Sequence, residues 1–263
     1  MRMSLIRSRL RENKVVRFIS LMYPTDVMPS HAARAGFDAV LLDNEHASWD
    51  RREIQRMIAL HHAAGIDCLI RPANRNPPDL YHLLEDGATG FLFQMVNSAE
   101  EARALVRALK FPPLGERGLS APAFDNGYTW GNSVIDYMSA ANEQTVIVAM
   151  IETPEAIACI DEIAAVRGVD ALYMGPADLS LRLHCFDRWD DPPMRDAHAR
   201  MAAAAARNGI AWGRPGTSAA DIRTLVAAGA RFILRGGDYA AVTEMVARYG
   251  HDFAEALGGT ADG

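Results

Sequence analysis

Two acidic residues stand at the ends of apolar segments that have the length of buried strands. The apolar residues 146–151 lead directly into Glu152, and the apolar residues 171–174 lead through Gly175 to Asp178. An unpaired charge buried at the end of a core strand costs several kcal/mol, so each carboxylate needs a compensating partner. Where strands alternate with helices, the strand ends converge on one face of the fold. The two carboxylates are therefore predicted to meet there and to hold a hard divalent cation.

Each of these residues also has an ordinary structural interpretation. Glu152 precedes a Thr-Pro-Glu segment, which is typical of a helix start, where acids interact favourably with the helix dipole. This explains Glu155 better than Glu152, because Glu152 comes before the capping residue. Asp178 ends a Gly-Pro-x-Asp segment, which is typical of a turn. Both alternatives remain open from the sequence, although the pairing of the two acids favours the metal-ligand interpretation.

A histidine and an arginine at neighbouring strand ends could handle protons and developing charge. His46 lies three residues after Asp43, close enough for the carboxylate to orient the imidazole or share a water with it, as a general base requires. The alternative is that these residues only solvate a loop. Arg71 ends another apolar segment, and its guanidinium suits a carbonyl or enolate oxygen that gains negative charge. A salt bridge from Arg71 to one of the carboxylates is compatible with that role.

The segment after the sixth apolar run can receive a substrate carboxylate on its backbone. Gly175, Pro176 and Ala177 carry no bulky side chain, so an anion can approach the amides of Ala177 and its neighbours. Polar side chains also follow the fourth run, at Gln94 and Asn97. The residues that could do chemistry are thus predicted to gather at one end of the strands.

Eight apolar segments of strand length alternate with longer helical segments and would position these residues. The predicted strands are residues 15–22, 39–43, 68–71, 91–95, 145–151, 171–174, 210–212 and 232–234. The predicted helices are residues 25–35, 49–64, 77–86, 99–109, 154–165, 193–208, 218–228 and 239–257. Glycines follow five of the helices, where a left-handed residue commonly ends a helix.

This alternation predicts an α/β fold with a parallel sheet, most economically a single (β/α)8 TIM barrel with an extra C-terminal helix. An open, doubly wound sheet is the weaker alternative. The C-terminal helix, 239–257, would cover the barrel or reach a neighbouring subunit, and residues 258–263 are expected to fray. Two segments, 111–132 and 184–193, break the alternation, and such insertions usually shape the substrate pocket.

The composition agrees with such a barrel and argues against several other classes of protein. A chain of 263 residues, 49% hydrophobic and 23% charged, is the size of one barrel domain, here residues 1–263. A net charge of −6 argues against nucleic-acid binding. Three widely spaced cysteines favour free thiols in a reducing compartment. No signal peptide or membrane-spanning segment is recognisable, so a cytoplasmic protein is expected.

Six segments together resemble the HpcH/HpaI family of metal-dependent 2-oxo acid aldolases, in order and spacing along nearly the whole chain. They are residues 37–46, which end in Asp43-Asn44-Glu45-His46, and residues 71–74, 98–103, 112–118, 150–153 and 175–180. Any one segment is a weak signal, whereas six in register are specific to the family but not to a substrate.

The resemblance implies a class II aldolase that cleaves a hydroxy-2-oxo acid into pyruvate, or a related acid such as hydroxypyruvate, and an aldehyde. It implies that Glu152 and Asp178 bind Mg²⁺, Mn²⁺ or Co²⁺, which the 2-oxo acid chelates. It further implies that Arg71 contacts the keto oxygen and stabilises the enolate, while His46 and Asp43 transfer protons. No Schiff-base lysine is then needed, and the two lysines of the chain lie far from the strand ends. Family members commonly form hexamers, trimers of dimers that swap C-terminal helices.

Departures from the family pattern put the aldehyde preference in doubt. Many members have Gly at Asn44, Asp at Glu85 and Gln at Met150, and glycines where this chain reads 181–186. An acyl-CoA lyase of the citrate lyase type is an alternative, but it would need a basic patch for the phosphates. A barrel that only binds a small acid is a second alternative. Exchange of pyruvate methyl protons with solvent would separate catalysis from binding.

Overall fold

Eight parallel strands form a nearly closed barrel in the computed structural model, which describes residues 2–131 and 133–257. The strands are β1 Val16–Leu21, β2 Ala39–Asp43, β3 Asp67–Arg71, β4 Gly90–Phe93, β5 Val146–Ile151, β6 Ala171–Met174, β7 Ala211–Gly213 and β8 Phe232–Gly237. They pair in the order β7-β6-β5-β4-β3-β2-β1-β8. The backbone amide of Arg231 donates to Trp212 (2.9 Å) and that of Gly216 to Leu234 (2.8 Å), which joins β7 to β8. The predicted (β/α)8 barrel is confirmed.

Most of the helices follow strands and cover the outside of the barrel. They are α1 Leu5–Arg11, α2 Met28–Arg34, α3 Arg51–Ala64, α4 Pro77–Glu85, α5 Ala99–Leu109, α6 Val134–Gln144, α7 Pro154–Ala158, α8 Ile160–Ala164, α9 Pro176–Arg182, α10 Pro192–Asn208, α11 Ala219–Ala227 and α12 Asp238–Leu257. At the end of α3, Gly65 has φ 70°, so the predicted left-handed glycine is present. In the part of the chain that the structure describes, no helix combines the length and apolarity needed to cross a membrane.

Successive residues of each strand face two different cores, because side chains alternate across a sheet. Leu41, Leu69, Leu92 and Met150 belong to the core inside the barrel, while their neighbours pack against the helices outside. Strands buried on both faces must be apolar throughout, which explains the uninterrupted aliphatic runs. The next inward-facing position of each strand, two residues beyond these four, lies at the C-terminal end of the barrel, which is its open mouth. The alternation along the strands therefore determines which residues lie at the mouth.

The short helix α1 closes the opposite, N-terminal end of the barrel. Ile6 is fully buried in the interior core, and Ser4 caps the helix by accepting a hydrogen bond from the Arg7 amide (3.1 Å). Arg7 pairs with Asp170, and the buried Asp67 accepts from the Ser4 hydroxyl (2.7 Å). These contacts with the strand entrances leave the mouth as the open end of the barrel.

Several predicted boundaries were wrong, for identifiable reasons. The predicted strand 91–95 ends at Phe93, because Met95 adopts φ 52° and leaves the sheet. The predicted helix 154–165 is divided at Cys159 into α7 and α8. Helices α1 and α6 were not predicted, although Ser133 caps α6 through the Asp136 amide (3.0 Å), a recognisable signal. The insertion 111–132 is described except for position 132. The tail 258–263, which was expected to fray, lies outside the described residues.

Candidate active site

A buried ion pair occupies the mouth at the ends of β2 and β3. The Arg71 guanidinium donates from Nε to Oδ1 of Asp43 (3.0 Å) and from Nη2 to Oδ2, so the pair is bidentate. Burial alone would raise the pKa of Asp43, but the hydrogen bonds and charge of Arg71, with the amides of His46 and Glu45, hold that pKa below its ordinary value. Arg71 is therefore fixed in orientation beside a carboxylate that stays ionised.

The loop after β2 places His46 beside Glu45 rather than beside the Asp43 carboxylate. The imidazole Nε2 lies 3.5 Å from Oε2 of Glu45, and the same oxygen lies 3.1 Å from Nη1 of Arg71. Asp43 contacts His46 through the backbone, because its Oδ1 accepts from the His46 amide (3.2 Å). Asp43 thus shapes the loop, while Glu45, which was not among the predicted site residues, is the carboxylate next to the ring.

Glu152 lies at the inward position that follows β5 and is almost completely buried. Its Oε1 accepts a hydrogen bond from the Met95 amide (2.6 Å), and Oε2 has no donor among the residues that the structure describes. Burial raises the pKa of Glu152 to about 7; the Met95 amide and Arg71 oppose this rise, and the Asp178 and Glu45 charges add to it. With a pKa near 7, this carboxylate becomes fully ionised near neutral pH only if more positive charge is supplied.

The Met95 amide reaches Glu152 because the chain turns sharply after β4. Met95 has the positive φ that non-glycine residues rarely adopt. Arg75 holds this turn by donating from Nη2 to the carbonyl oxygens of Gln94 and Met95 (2.9 Å to the latter). Asn97 donates from Nδ2 to the Met95 carbonyl (3.2 Å) and accepts from the Thr153 hydroxyl (2.6 Å), which ties the turn to the end of β5.

Gly175 leaves the space that the Glu152 carboxylate fills. A Cβ atom at Gly175 would overlap Oε2 of Glu152 and would lie 3.1 Å from Sδ of Met150. Pro176 begins α9, so Ala177 and Asp178 lie in the first turn of a helix rather than in the turn that was left open as the alternative. The Asp178 carboxylate is half-exposed at the mouth, where its Oδ1 accepts from Nη1 of Arg182 (2.6 Å).

The donor set fits a divalent cation that is held by few protein ligands. Within residues 2–131 and 133–257, no group of three His, Cys, Asp or Glu side chains could enclose a metal ion. A cation at this site could take Glu152 and Asp178 as carboxylate ligands and would need oxygen atoms of water or substrate for its other positions. Oε2 of Glu152, which accepts no hydrogen bond from the described residues, is the atom that such a cation would bind.

The structure brings Asp43, Arg71, Glu152 and Gly175 together at the mouth and leaves both lysines far from it. Nζ of Lys110 donates to the carbonyl oxygens of Asn142 (2.7 Å) and Thr145 (2.6 Å), at the entrance to β5 and so at the opposite end of the barrel. Lys14 pairs with Glu12, between α1 and the entrance to β1. Among the described residues, the mouth thus offers carboxylates, an arginine and a histidine, but no amine nucleophile.

The sequence and the fold match known proteins. The family model for HpcH/HpaI aldolase/citrate lyase matches residues 16–244. Hydroxypyruvate/pyruvate aldolase of Pseudomonas aeruginosa is 42% identical over 149 residues, which are 57% of this chain and 55% of that protein. The chain thus spans just over half the length of that relative. 2-Keto-3-deoxy-L-rhamnonate aldolase of Escherichia coli (strain K12) is 32% identical over 189 residues, 72% of this chain and 70% of that protein.

A solved structure extends the likeness to the whole fold. The crystal structure of an HpcH/HpaI aldolase from Desulfitobacterium hafniense DCB-2 superposes with a TM-score of 0.91 at 32% identity, covering 97% of this chain and 98% of that one. The family model and this superposition cover all eight strands of the barrel. The chain belongs to the HpcH/HpaI aldolase/citrate lyase family.

Proposed function

We propose that the protein is a metal-dependent class II aldolase that reversibly cleaves a hydroxy-2-oxo acid into an aldehyde and pyruvate or hydroxypyruvate. The observation that carries this proposal is the buried Glu152 carboxylate, whose free oxygen faces a mouth that also holds Arg71. The names of the two aldolase relatives support the substrate class. The absence of a lysine at the mouth favours charge stabilisation over a Schiff base.

The side chains divide the work of binding, charge stabilisation and proton transfer. Arg71 keeps N–H groups free on Nη1 and Nη2 after pairing with Asp43 and Glu45, and these can bind the keto oxygen as negative charge develops on it. His46, held beside Glu45, can take a proton from the substrate and return it. The Ala177 amide, next to Gly175 and Pro176, donates to the substrate carboxylate, since Pro176 has no N–H and the Gly175 amide already donates to the Ile151 carbonyl (3.2 Å).

Glu152 and Asp178 are the residues that would hold the divalent cation, Mg²⁺, Mn²⁺ or Co²⁺. When bound, the cation supplies a Lewis acid that polarises the 2-oxo acid. The protein contributes the fixed position of the ligands: the Met95 amide orients the Glu152 carboxylate, and the absence of a side chain at Gly175 gives it room. The Asp178 carboxylate must turn from Arg182 towards the mouth or share that contact.

A CoA-ester lyase fits this site less well, because the four arginines that could bind its phosphates do not form a basic patch at the mouth. Arg71 pairs with Asp43, and Arg182 pairs with Asp178. Arg117 lies towards the opposite end of the barrel, where its amide donates to the Lys110 carbonyl (2.9 Å), and Arg235 lines a groove on the outside of β1 and β8. A CoA phosphate chain needs several accessible cations.

Exchange of pyruvate methyl protons tests the proposed function without knowledge of the aldehyde. In deuterated buffer with Mg²⁺, Mn²⁺ or Co²⁺, the protein is expected to exchange these protons, as proton NMR would show. Glu152→Ala should abolish the exchange while the protein stays folded. A metal-loaded protein that shows no exchange, with Glu152→Ala behaving identically, would instead indicate a barrel that only binds a small acid.

We also propose that the chain assembles through its C-terminal helix, as a dimer that builds a hexamer. Of the residues in α12 only Asp238 is buried, and one face of the helix exposes large apolar side chains. They are Tyr239, Val242, Val246, Tyr249 and Phe253. In a TIM barrel the helix after the eighth strand normally covers the outside of the sheet. Here α12 leaves that place open and presents an unpartnered face.

The place left open is an apolar groove over the outside of β1 and β8. The groove lies between α2 and α11, has a volume of about 240 Å³, and is lined mainly by Val15, Phe37, Ile222 and Ile233. Its position is where the helix after β8 would pack in a closed barrel. The apolar face of α12 from a second copy matches this groove in chemistry, which supports a reciprocal exchange of helices.

A cytoplasmic location is part of the same proposal. Cys68, Cys159 and Cys185 are all free thiols, and Cys68 and Cys185 are buried. Burial raises the pKa of the Cys68 thiol, so this sulfur is unreactive. Free thiols of this kind suit a reducing compartment.

A further inference from the structure

One buried polar atom at the mouth has no role in the chemistry described so far: Oε1 of Gln94. This atom is shielded from solvent and has no hydrogen-bond partner among the described residues. Gln94 continues the inward phase of β4 two residues beyond Leu92, just as Glu152 does in β5. A buried acceptor without a donor is unfavourable, so a ligand that supplies the donor gains affinity here.

The orientation of the Gln94 amide group is set by a neighbouring carbonyl. Nε2 donates to the backbone oxygen of Pro72 (2.8 Å), which follows Arg71 directly. A flipped amide would place Oε1 against that carbonyl oxygen, two acceptors with no proton between them. The group left over at the mouth is therefore an acceptor, and it can be satisfied only by a hydrogen-bond donor.

Gln94 lies between the two groups that bind the reacting acid. Its side chain reaches the residue after Arg71, and the next residue in the chain, Met95, donates its amide to Glu152. Arg75 fixes the backbone here by donating to the Gln94 carbonyl, so the side chain starts from a rigid turn. The hydroxyl of Tyr173, buried inside the barrel near the charge of Arg71, also lacks a partner among the described residues.

Pyruvate and hydroxypyruvate differ in whether they carry the hydrogen-bond donor that Gln94 requires. The carboxylate and keto groups of pyruvate only accept hydrogen bonds, and its methyl group does not donate. Hydroxypyruvate carries a hydroxyl on the carbon that becomes the nucleophile. We propose that Gln94 selects a 2-oxo acid that bears this hydroxyl, by accepting its hydrogen bond on Oε1. This inference rests on the proposed aldolase function, since it names the 2-oxo acid that becomes the nucleophile at the same site.

An internal competition tests the proposal. Pyruvate and hydroxypyruvate are mixed in deuterated buffer with Mn²⁺-loaded protein, and exchange at C3 of each is followed by proton NMR, with the protein-free rate subtracted. The ratio of the two rates does not depend on how much protein is active. Wild type should favour hydroxypyruvate, and Gln94→Met, which keeps length but loses the acceptor, should lower the ratio about tenfold. Gln55→Met on the exposed face of α3 is the matched control and should keep the wild-type ratio.

The outcomes separate this proposal from the function on which it rests. Wild type that exchanges pyruvate but shows no preference for hydroxypyruvate overturns the Gln94 proposal and leaves the aldolase function intact. Gln94→Met that slows both acids equally also overturns it, and indicates that the amide orders a metal-bound water or the turn itself. Wild type that exchanges neither acid overturns both proposals. Calorimetric binding of each acid to the Mn²⁺-loaded protein should show the same preference without turnover.

Discussion

Adding one methyl group at Gly175 should disable the site while the barrel stays folded. The new Cβ of Gly175→Ala would overlap Oε2 of Glu152 and crowd Sδ of Met150 at 3.1 Å. Because Oε1 is held by the Met95 amide, the carboxylate must rotate or move by about 1 Å, and displacements of that size reduce rates about 100-fold. Overpacking of this kind costs about 1–3 kcal/mol, less than the stability of a typical domain.

The assay is exchange of pyruvate methyl protons in the presence of a saturating divalent metal, together with urea unfolding. Gly175→Ala should exchange about 100-fold more slowly than wild type and remain cooperatively folded. Gly118→Ala is the matched control, since its added methyl would meet only the Tyr81 ring, at 3.9 Å, on an exposed loop. An exchange rate for Gly175→Ala within threefold of the control would refute the assigned position of the Glu152 carboxylate.

Three further perturbations follow from the described contacts. Asp43→Asn leaves Arg71 with one acceptor oxygen at position 43 in place of two. The free energy of unfolding should fall by about 1–3 kcal/mol, and kcat should change more than KM; an unchanged kcat would contradict the positioning of Arg71. Burial lowers the pKa of His61 from 6.5 to about 4, so the unfolded chain binds more protons below pH 6.5. The contribution of His61 to the free energy of unfolding should be full above pH 6.5 and should fall by about 3 kcal/mol towards pH 4, so in urea unfolding His61→Leu should lose less stability over this range than wild type. Val246→Glu should leave the chain monomeric in sedimentation, whereas Arg248→Glu should not; an assembled Val246→Glu protein would argue against exchange of α12.

Residues at strand ends could be predicted from the sequence because their position follows from the strand itself. An aliphatic run of fixed phase places Glu152 and Arg71 at the inward ends of β5 and β3. Positions that depend on loop conformation could not be derived in this way. The turn at Met95 uses a positive φ without a glycine to signal it, so the amide that orients Glu152 was not foreseen.

Side-chain pairing was the other part that the sequence left open. His46 was expected to lie beside Asp43, three residues away, but Arg71 occupies both oxygens of that carboxylate and the ring lies against Glu45. Whether Arg71 or His46 pairs with the Asp43 carboxylate depends on how the ends of β2 and β3 lie relative to each other. In contrast, the pairing of Asp178 with Arg182 follows from a spacing of four residues once α9 is recognised as a helix.

Metal binding by the two acids tests the central claim most directly. Mn²⁺ titrations followed by electron paramagnetic resonance should show a site in wild type that pyruvate strengthens, because the acid supplies ligands that the protein lacks. Glu152→Gln and Asp178→Asn should each weaken Mn²⁺ binding at least about tenfold while the protein remains folded. Undiminished Mn²⁺ binding in both variants would contradict the assignment of Glu152 and Asp178 as the ligands.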